Sequence, residues 1–421
     1  MLSTTRLRKV FGPPAQMAIG LGLFGLAGYV FVAVTGRTLT SAEANLAIAF
    51  YFLANVVGPG IFYALEQVTS RSLSKALAAG MPLAPAIVKA RRAGAGLAAV
   101  VVVALGLLSP VIVGATLHDD WALFAEVVAA AVIGGGLHFV RGLLGGLQRF
   151  SAYAATLAVE GVSRLVLCLA LAVAGAGSAW MYGVAYLGAS VIAALVGLVW
   201  VRGGDPGTAA DAVEPPAIGK GLAALAVATL LAQLLPNLAP LAVTSRLAED
   251  SAVALAFGQA AVLARIPLLL FFPIQTMLLP NLSASVAKGE FDAVAKRIRL
   301  VLAGVAVAGV VCSLLFLLLG PWALRTFLNT TAELDGSIMV LLAVSTVVLI
   351  GSYAVQPALV ALHRDHVVTV GWAIGTGVTL GMVLLPFSPV PLASLAQVVG
   401  PALTVVVVLW GLRAGLRAAR R

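Results

Sequence analysis

Charged residues are scarce in this chain of 421 residues, of which 10% are charged and 61% are hydrophobic. Average proteins carry about 25% charged residues, so the composition excludes an ordinary soluble globular domain. Cysteine is nearly absent as well, and Cys168 and Cys312 both lie in apolar stretches. Two such cysteines imply neither a disulfide framework nor a thiolate metal site.

The motifs of common enzymes are also missing. The sequence has no GxxxxGK loop followed by Ser or Thr, no HExxH motif, no nucleophile elbow and no paired cysteine motif. The cluster "HDD" at 118–120 lies in a short loop, and three adjacent residues do not form a metal cage. We therefore expect neither an enzyme nor a cofactor or metal site, and coupling to a proton or a sodium ion stays open.

Long apolar runs fill the chain instead. A helix needs about 20 apolar residues to cross a hydrocarbon core of about 30 Å, and backbone exposed to lipid must satisfy its own hydrogen bonds. We predict an all-α polytopic membrane protein with twelve transmembrane helices. The runs lie at about 15–35, 44–65, 94–117, 121–144, 152–175, 179–201, 221–243, 252–279, 300–320, 336–360, 367–386 and 390–412.

The net charge of +10 is explained by where the basic residues lie. With a cytoplasmic N-terminus, 21 of the 26 lysines and arginines fall in cytoplasmic segments. Arg37, Arg246 and Arg325 fall outside, and Arg164 and Arg265 fall within spans. This distribution follows the positive-inside rule, so no nucleic-acid partner is implied. We predict a multi-pass protein of the bacterial cytoplasmic (inner) membrane with both termini cytoplasmic.

The first half of the sequence recurs in the second half. "AVTGR" (33–37) and "AVTSR" (242–246) are 209 residues apart, and "LSKALAAG" (73–80) and "LSASVAKG" (282–289) have the same offset. Six spans in each half insert both copies in the same direction, which predicts parallel repeats with a central cavity between them. We assign 1–201 to the N-terminal half, 202–220 to a cytoplasmic linker and 221–421 to the C-terminal half.

Prolines interrupt matching spans of the two halves. The second span contains Pro59, and the eighth contains Pro267 and Pro273. A proline inside a helix removes a backbone hydrogen bond and allows a kink. Prolines are common in membrane helices, but their paired placement predicts hinges at all three residues.

Ionisable residues within spans are candidate functional groups, because burying one costs roughly 2.5–3.5 kcal/mol on insertion scales. Arg265 lies midway along the eighth span with no acid within one turn, so it either contacts an anion in the cavity or has a partner on another helix. Glu160 and Arg164 share one helix face at i and i+4. Either they neutralise each other, or Arg164 binds an anion and Glu160 tunes that site or carries a proton. Arg37 and Arg246 end the first and seventh spans, where they either reach the interface or bind substrate. The remaining candidates for the cavity lining are Asn55, Gln233, Asn237 and Gln275.

Three stretches together resemble a known family. The run "ARIPLLLFFPIQTMLLPNLSASVAKGEFDAVAKRIRLV" (264–301) is similar to the signature region of the multidrug/oligosaccharidyl-lipid/polysaccharide (MOP) exporter superfamily, with its LLP-x-LS element and inner GEFD loop. "GPGIFYALEQVTSRSLSKALAAG" (58–80) resembles the same element in the first half. "GLLGGLQRFSAYAATLAVEGVSRLVL" (142–167) resembles the fourth-to-fifth span region. With its twelve predicted spans, the chain resembles the family over essentially its whole length.

The resemblance implies a V-shaped cavity between the halves and transport by alternating access, as in a MATE-like fold. It is greatest to the polysaccharide or O-antigen-type flippases, which move polyprenyl-pyrophosphate-linked oligosaccharides outward for cell-envelope synthesis. The implied partners are the lipid bilayer, the lipid-linked oligosaccharide, and glycosyltransferases or polymerases of the same pathway. Arg265 and Arg164 would then hold the pyrophosphate, because arginine forks match its oxygens.

Three alternatives stay open. Lipid II flippases usually have fourteen spans and an arginine–acid pair near the end of the first helix. This chain has twelve predicted spans, and Thr38 follows Arg37, so both features count against a lipid II flippase. Drug–cation antiporters typically have an acid in the first span. Residues 16–34 contain none, which counts against this branch. A non-transporting scaffold of an envelope-synthesis complex would bind its partners through the basic inner loops at 66–92 and 281–299.

Overall fold

The computed structural model describes residues 12–202 and 219–420, and all regular secondary structure within these ranges is helical. Twelve of the helical segments in these ranges are long and apolar enough to cross a membrane. The predicted all-α fold with twelve spans is therefore confirmed. The predicted linker at 202–220 lies, apart from its ends, outside the described residues.

The chain forms two compact units, Met1–Leu230 and Leu231–Arg421, with their boundary inside one helix. In the first unit α1 packs along α6, α3 packs against α5, and both α5 and α6 contact α7. A π-helical turn, Ile112–Thr116, extends α4. The helices of this unit are α1 Pro13–Thr38, α2 Ser41–Val57, α3 Pro59–Ala78, α4 Leu83–Val111, α5 Trp121–Gly146, α6 Phe150–Val173 and α7 Ala179–Arg202.

The second unit contains most of α8, which carries the boundary, and the helices that follow it. Here α12 packs against α10, α11 and α14, and α13 packs against α14. The largest fully buried side chain, Trp372 of α13, lies in the apolar core of this unit. The helices are α8 Gly219–Arg246, α9 Ala252–Leu263, α10 Ile266–Ala287, α11 Phe291–Leu328, α12 Gly336–Ala361, α13 Asp365–Val383 and α14 Pro389–Ala419.

Short polar side chains begin several helices, because an Asp, Ser or Thr oxygen can accept an otherwise unpaired backbone N–H of the first turn. Asp120 accepts from the N–H of Leu123 at 2.9 Å, and Ser251 accepts from the N–H of Ala254 at 3.2 Å. Asp335 accepts from the N–H of Ser337 at 2.7 Å. Hydrogen bonds from the hydroxyl and the backbone N–H of Ser337 lower the pKa of the exposed Asp335 carboxyl. These caps place the helix starts in the short loops between spans.

The second and eighth spans are broken where their prolines lie. Gly58 separates α2 from α3 with φ −83° and ψ −92°, and Pro59 is the first residue of α3. In the eighth span α9 ends at Leu263, and Pro267 lies in the first turn of α10. A proline in a first turn loses nothing, because that N–H has no helical acceptor. The helices are thus interrupted near Pro59 and near Pro267, and hinge movement at these two breaks stays a prediction. The Pro273 side chain lies outside those that the structure describes.

The α2/α3 break is packed against glycines of α5. A Cβ atom added to Gly134 would lie 3.1 Å from the Cα atom of Gly58. A Cβ atom added to Gly135 would lie 3.0 Å from the ring of Phe62. The backbones of α3 and α5 therefore approach closely here, as small residues allow in membrane proteins.

Candidate functional site: three buried polar clusters

Glu160 of α6 is the centre of the first buried cluster, which we call the Glu160 cluster (Arg141, Glu160, Arg164 and Ser190). One carboxylate oxygen, Oε2, accepts from Nη2 of Arg141 at 2.7 Å. The other, Oε1, accepts from Nη2 of Arg164 at 2.9 Å and from the hydroxyl of Ser190 at 2.8 Å. Arg141 is 3%, Glu160 4% and Arg164 2% exposed. One carboxylate therefore joins α5, α6 and α7.

Aromatic rings stabilise the guanidinium of Arg164 in this cluster. The guanidinium carbon of Arg164 lies 3.7 Å from the ring centroid of Tyr186 and 5.2 Å from that of Phe24. A cation over an aromatic face is attracted by the ring quadrupole, and more strongly where water is absent. Arg164 thus has a carboxylate on one side and rings around it.

The structure brings together the pair Glu160 and Arg164 that the sequence singled out, and adds partners from other helices. Arg141 is one of the 21 lysines and arginines that the sequence places in cytoplasmic segments; in the structure it is buried and bound to Glu160. Ser190 of α7 carried no signal that could be read from the sequence. His138 and Arg141, three residues apart on one helix, were the available signal for a polar face of α5.

A second cluster, the Glu66 cluster (Glu66, His138 and Tyr153), joins α3, α5 and α6. Oε2 of Glu66 lies 2.7 Å from Nδ1 of His138, and Oε1 accepts from the hydroxyl of Tyr153 at 2.5 Å. Thr156 connects this cluster to the first one, because its hydroxyl accepts from Nε of Arg141 at 3.1 Å and donates to the Tyr153 carbonyl. Sequence reasoning missed Glu66 because the apolar run ends at residue 65.

A third acid of the first unit, Glu126 of α5, is 9% exposed. Its Oε2 atom has no hydrogen-bond partner among the described residues and lies against Gly183 of α7. Glu126 was also missed by sequence reasoning, although it is an acid inside a predicted span.

Prolines organise the polar contacts of the second unit. Pro236, Pro240 and Pro357 lie inside helices, and each lacks the N–H that would reach the carbonyl four residues before it. Those three carbonyls accept from side chains of other helices. The Ala232 carbonyl accepts from the Tyr353 hydroxyl at 3.3 Å, the Pro236 carbonyl from Arg265 and Gln397, and the Tyr353 carbonyl from Gln275 at 3.4 Å. Within a membrane such carbonyls need a donor from the protein.

Arg265 lies in the α9/α10 break and forms the third cluster, the Arg265 cluster (Pro236, Asn237, Arg265 and Gln397). Its Nη1 donates to Oδ1 of Asn237 at 3.0 Å, and its Nη2 donates to the Pro236 carbonyl. These acceptors are neutral, and Arg265 is half-buried. No acid lies inside a span of residues 231–421. The acids of this part of the sequence lie between spans or at their first turns: Glu249, Asp250, Glu290, Asp292, Glu333, Asp335 and Asp365.

The other sequence candidates lie apart from these clusters or support them. Arg246 donates from Nη1 to the Val383 carbonyl at 3.0 Å and from Nη2 to the Phe387 carbonyl at 2.7 Å, so it joins the end of α13 to the loop that follows. Arg37 is exposed in the last turn of α1. Half-buried Asn55 donates to the Tyr51 carbonyl of its own helix at 2.7 Å. The backbone carbonyl of half-buried Gln233 accepts from Nδ2 of Asn237 at 2.6 Å.

Comparisons with known proteins place these helices in a known fold. No protein-family model and no curated protein sequence matches the chain. Solved structures match it over nearly their whole length. One is the inward-facing conformation of a multidrug resistance MATE family transporter of the MOP superfamily, with TM-score 0.69, 12% identity and 95% of each chain covered. Another is a mutant of the Vibrio cholerae MATE transporter VcmN, with TM-score 0.66, 20% identity and 99% of each chain covered.

A third match is a MOP superfamily transporter from Pyrococcus furiosus, with TM-score 0.60, 15% identity and 100% of each chain covered. The reverse polarity of its binding pocket is described as suggesting a different function for that protein. At these identities the comparisons show the fold. The chain therefore has the fold of the MATE transporters of the MOP superfamily.

Proposed function

We propose that this chain is a transporter that flips polyprenyl-pyrophosphate-linked oligosaccharides across the bacterial cytoplasmic membrane by alternating access. The observation that supports this cargo is Arg265, a half-buried cation in the middle of a broken span, held by neutral acceptors. Its two acceptors, the side-chain oxygen of Asn237 and the backbone carbonyl of Pro236, come from α8.

A pyrophosphate suits this guanidinium. Arginine presents N–H groups in a planar fork that binds two phosphate oxygens at once, and the ionic bond is stronger where water is excluded. The mid-span position matches the depth at which transporters bind their cargo. Arg265 can therefore recognise the anionic group that every lipid-linked oligosaccharide of this class shares, whatever its sugars.

We assign the pyrophosphate contact to Arg265 rather than to Arg164. Arg164 is almost fully buried, is bound to Glu160 at 2.9 Å and is covered by the ring of Tyr186. Binding an anion there would require breaking a buried ion pair, which typically costs about 3–5 kcal/mol. Glu160 then acts by holding Arg141 and Arg164 and so fixing three helices of the first unit.

A second candidate function is cation-coupled export of hydrophobic drugs, and the acids of the first unit favour it. Glu66, Glu126 and Glu160 all lie buried inside spans, and ionisable groups there often carry protons or cations in transporters. Two of the matching solved structures are described as multidrug resistance transporters. On this view Glu126, whose Oε2 has no partner among the described residues, is the acid most open to a proton.

Reconstitution into proteoliposomes separates the two functions. We expect the wild-type protein to flip a fluorescent short-chain polyprenyl-pyrophosphate glycan, Arg265→Ala to lose at least nine-tenths of that activity, and Arg265→Lys to retain part of it. Arg37→Ala is the matched control, because that arginine is exposed at a helix end. Normal flipping by a folded Arg265→Ala protein would remove Arg265 from the site. Ethidium efflux driven by a pH gradient and abolished by Glu126→Gln, without glycolipid flipping, would favour the drug exporter.

The proposed membrane orientation follows from the charge distribution, with both termini cytoplasmic and the halves 1–201 and 221–421 joined by the cytoplasmic linker. Glycosyltransferases or polymerases of the same pathway are the proposed partners. A green fluorescent protein fused to the C-terminus should fluoresce, and an alkaline phosphatase fused there should be inactive. The opposite pair of results would reverse the orientation.

A further inference from the structure

Gln397 of α14 has a buried side-chain amide of which only the nitrogen has a hydrogen-bond partner among the described residues. It is 5% exposed, and its Nε2 lies 3.4 Å from the Pro236 carbonyl oxygen. Its Oε1 has no hydrogen-bond partner among the described residues. A buried amide oxygen without a partner is costly, and native structures rarely keep one without a reason.

The Pro236 carbonyl has two side-chain donors because Pro240 cannot donate to it. Nη2 of Arg265 is the nearer donor, and Nε2 of Gln397, at 3.4 Å, is at the long end of the hydrogen-bond range. The charged donor therefore holds this carbonyl, and Gln397 stands beside it as a weak second donor.

We propose that Arg265 exchanges the Pro236 carbonyl for the pyrophosphate of the cargo, and that Gln397 is the positioning residue that then holds the carbonyl. This inference rests on the proposed function, because it needs an anion at Arg265. An Nη2 proton given to a phosphate oxygen is no longer available to the carbonyl. Without Gln397 the exchange would leave a buried carbonyl unpaired inside a span, and binding would be weaker by that cost.

The exchange would also connect cargo binding to the helix break. Arg265 is the residue that precedes α10, and its side chain ties the break to α8 through Pro236 and Asn237. When the guanidinium turns to the pyrophosphate, this tie is reduced. The break between α9 and α10 would then be free to change its angle only with cargo present.

Pro240→Ala tests the exchange, because alanine restores a backbone N–H for the Pro236 carbonyl. In this variant Arg265 is no longer needed at the carbonyl, so farnesyl pyrophosphate in detergent micelles should bind about threefold or more tightly. Gln397→Leu should weaken binding about tenfold in the wild-type background, since the released carbonyl then has no donor. In the Pro240→Ala background Gln397→Leu should change the dissociation constant less than twofold.

The chain offers a matched control in Gln275, whose Nε2 also lies 3.4 Å from a carbonyl deprived of its donor by a proline, here Pro357. Gln275→Leu should alter stability like Gln397→Leu, but its effect on farnesyl pyrophosphate binding should be the same in the wild-type and Pro240→Ala backgrounds. A purely structural role for Gln397 would give the same pattern as Gln275.

The outcomes separate the exchange from the proposed function. If Gln397→Leu weakens binding equally in both backgrounds, the exchange is wrong and the anion site stands. If wild type and Arg265→Ala bind farnesyl pyrophosphate equally, or neither binds it, the anion site at Arg265 fails and the exchange falls with it. If binding depends on Arg265 and the loss in Gln397→Leu disappears with Pro240→Ala, both are supported.

Discussion

Glu160 is the only carboxylate of the Glu160 cluster, so its replacement by glutamine should destabilise the protein more than replacement of either arginine. The cluster carries two guanidinium groups and one carboxylate, all within hydrogen-bond distance of Glu160. Glu160→Gln leaves Arg141 and Arg164 buried without the carboxylate that binds both of them. Arg141→Met leaves Glu160 paired with Arg164 and bound by Ser190. The two variants therefore change the buried charge in opposite directions.

The expected magnitudes differ enough to measure. Removing one partner of a buried ion pair costs about 3–5 kcal/mol, and Glu160→Gln affects two pairs, so we expect about 4–5 kcal/mol of lost unfolding free energy. Arg141→Met does not leave the carboxylate uncompensated, because Glu160 keeps Arg164 and Ser190; its cost is therefore that of one hydrogen bond to a charged group, about 1.5–3 kcal/mol. It also loses the bond to Thr156, worth about 0.6 kcal/mol inside a membrane protein. We expect about 2–3.5 kcal/mol for this variant.

Unfolding of the purified protein in mixed detergent micelles, followed by circular dichroism, measures both values and that of the double variant. The double variant should lose at least about 1 kcal/mol less than the sum of the single losses, because both substitutions remove the same ion pair. Ser190→Ala, which removes one neutral donor to the same carboxylate, is the control and should cost about 0.5–1.5 kcal/mol. Equal losses for Glu160→Gln and Arg141→Met, or strictly additive losses, would refute a shared ionic cluster.

Two further substitutions test the packing of the helix break and the role of a helix-end arginine. Gly134→Val should lower the melting temperature markedly, because its Cβ atom would lie 3.1 Å from the Cα atom of Gly58. Gly136→Val is the control and should be nearly neutral, because a Cβ atom there has nothing within 4 Å. Equal melting temperatures for the two variants would contradict the packing. Arg246→Ala should lower the free energy of unfolding by about 1–3 kcal/mol and leave flipping intact, because the Val383 carbonyl at the end of α13 and the Phe387 carbonyl in the following loop lose their donor. Arg37→Ala is its control, and a loss of flipping without a loss of stability in Arg246→Ala would return Arg246 to the substrate site.

The spans and their interruptions could be predicted from the sequence because they are local properties. About twenty apolar residues in succession define a span, and Pro59 and Pro267 act on the helix in which they lie. The i, i+4 pairing of Glu160 with Arg164 is local too, and it forms at 2.9 Å.

The composition of the clusters could not be predicted, because each polar side chain is satisfied by a different helix. Ser190 and Glu160 are 30 residues apart, and Glu66 and Tyr153 are 87 apart. Gln397 and Pro236 are separated by 161 residues. No spacing in the sequence indicates such contacts, and only the packing of the helices decides which side chains meet.

Gln275 shows how a polar residue can be found from the sequence while its partner cannot. It stays a candidate for the cavity lining, and in the structure it donates to a carbonyl that Pro357 leaves without a helical donor. The rule that a proline frees the carbonyl four residues earlier is readable from the sequence. Which side chain reaches that carbonyl is not, because Gln275 and Pro357 belong to different helices.

The two broken spans have the same origin in the sequence but are held in different ways. In the first unit the break at Gly58 is held by close backbone packing against Gly134, which a ligand cannot replace. In the second unit the break is held by the side chain of Arg265 on neutral acceptors, and an anion can compete for that guanidinium. The residue 209 positions before Arg265 is Val56, so the first unit has no equivalent cation. If the breaks are hinges, only the second can respond to an anionic cargo, and substitutions at Gly134 should change stability without changing the affinity for pyrophosphate.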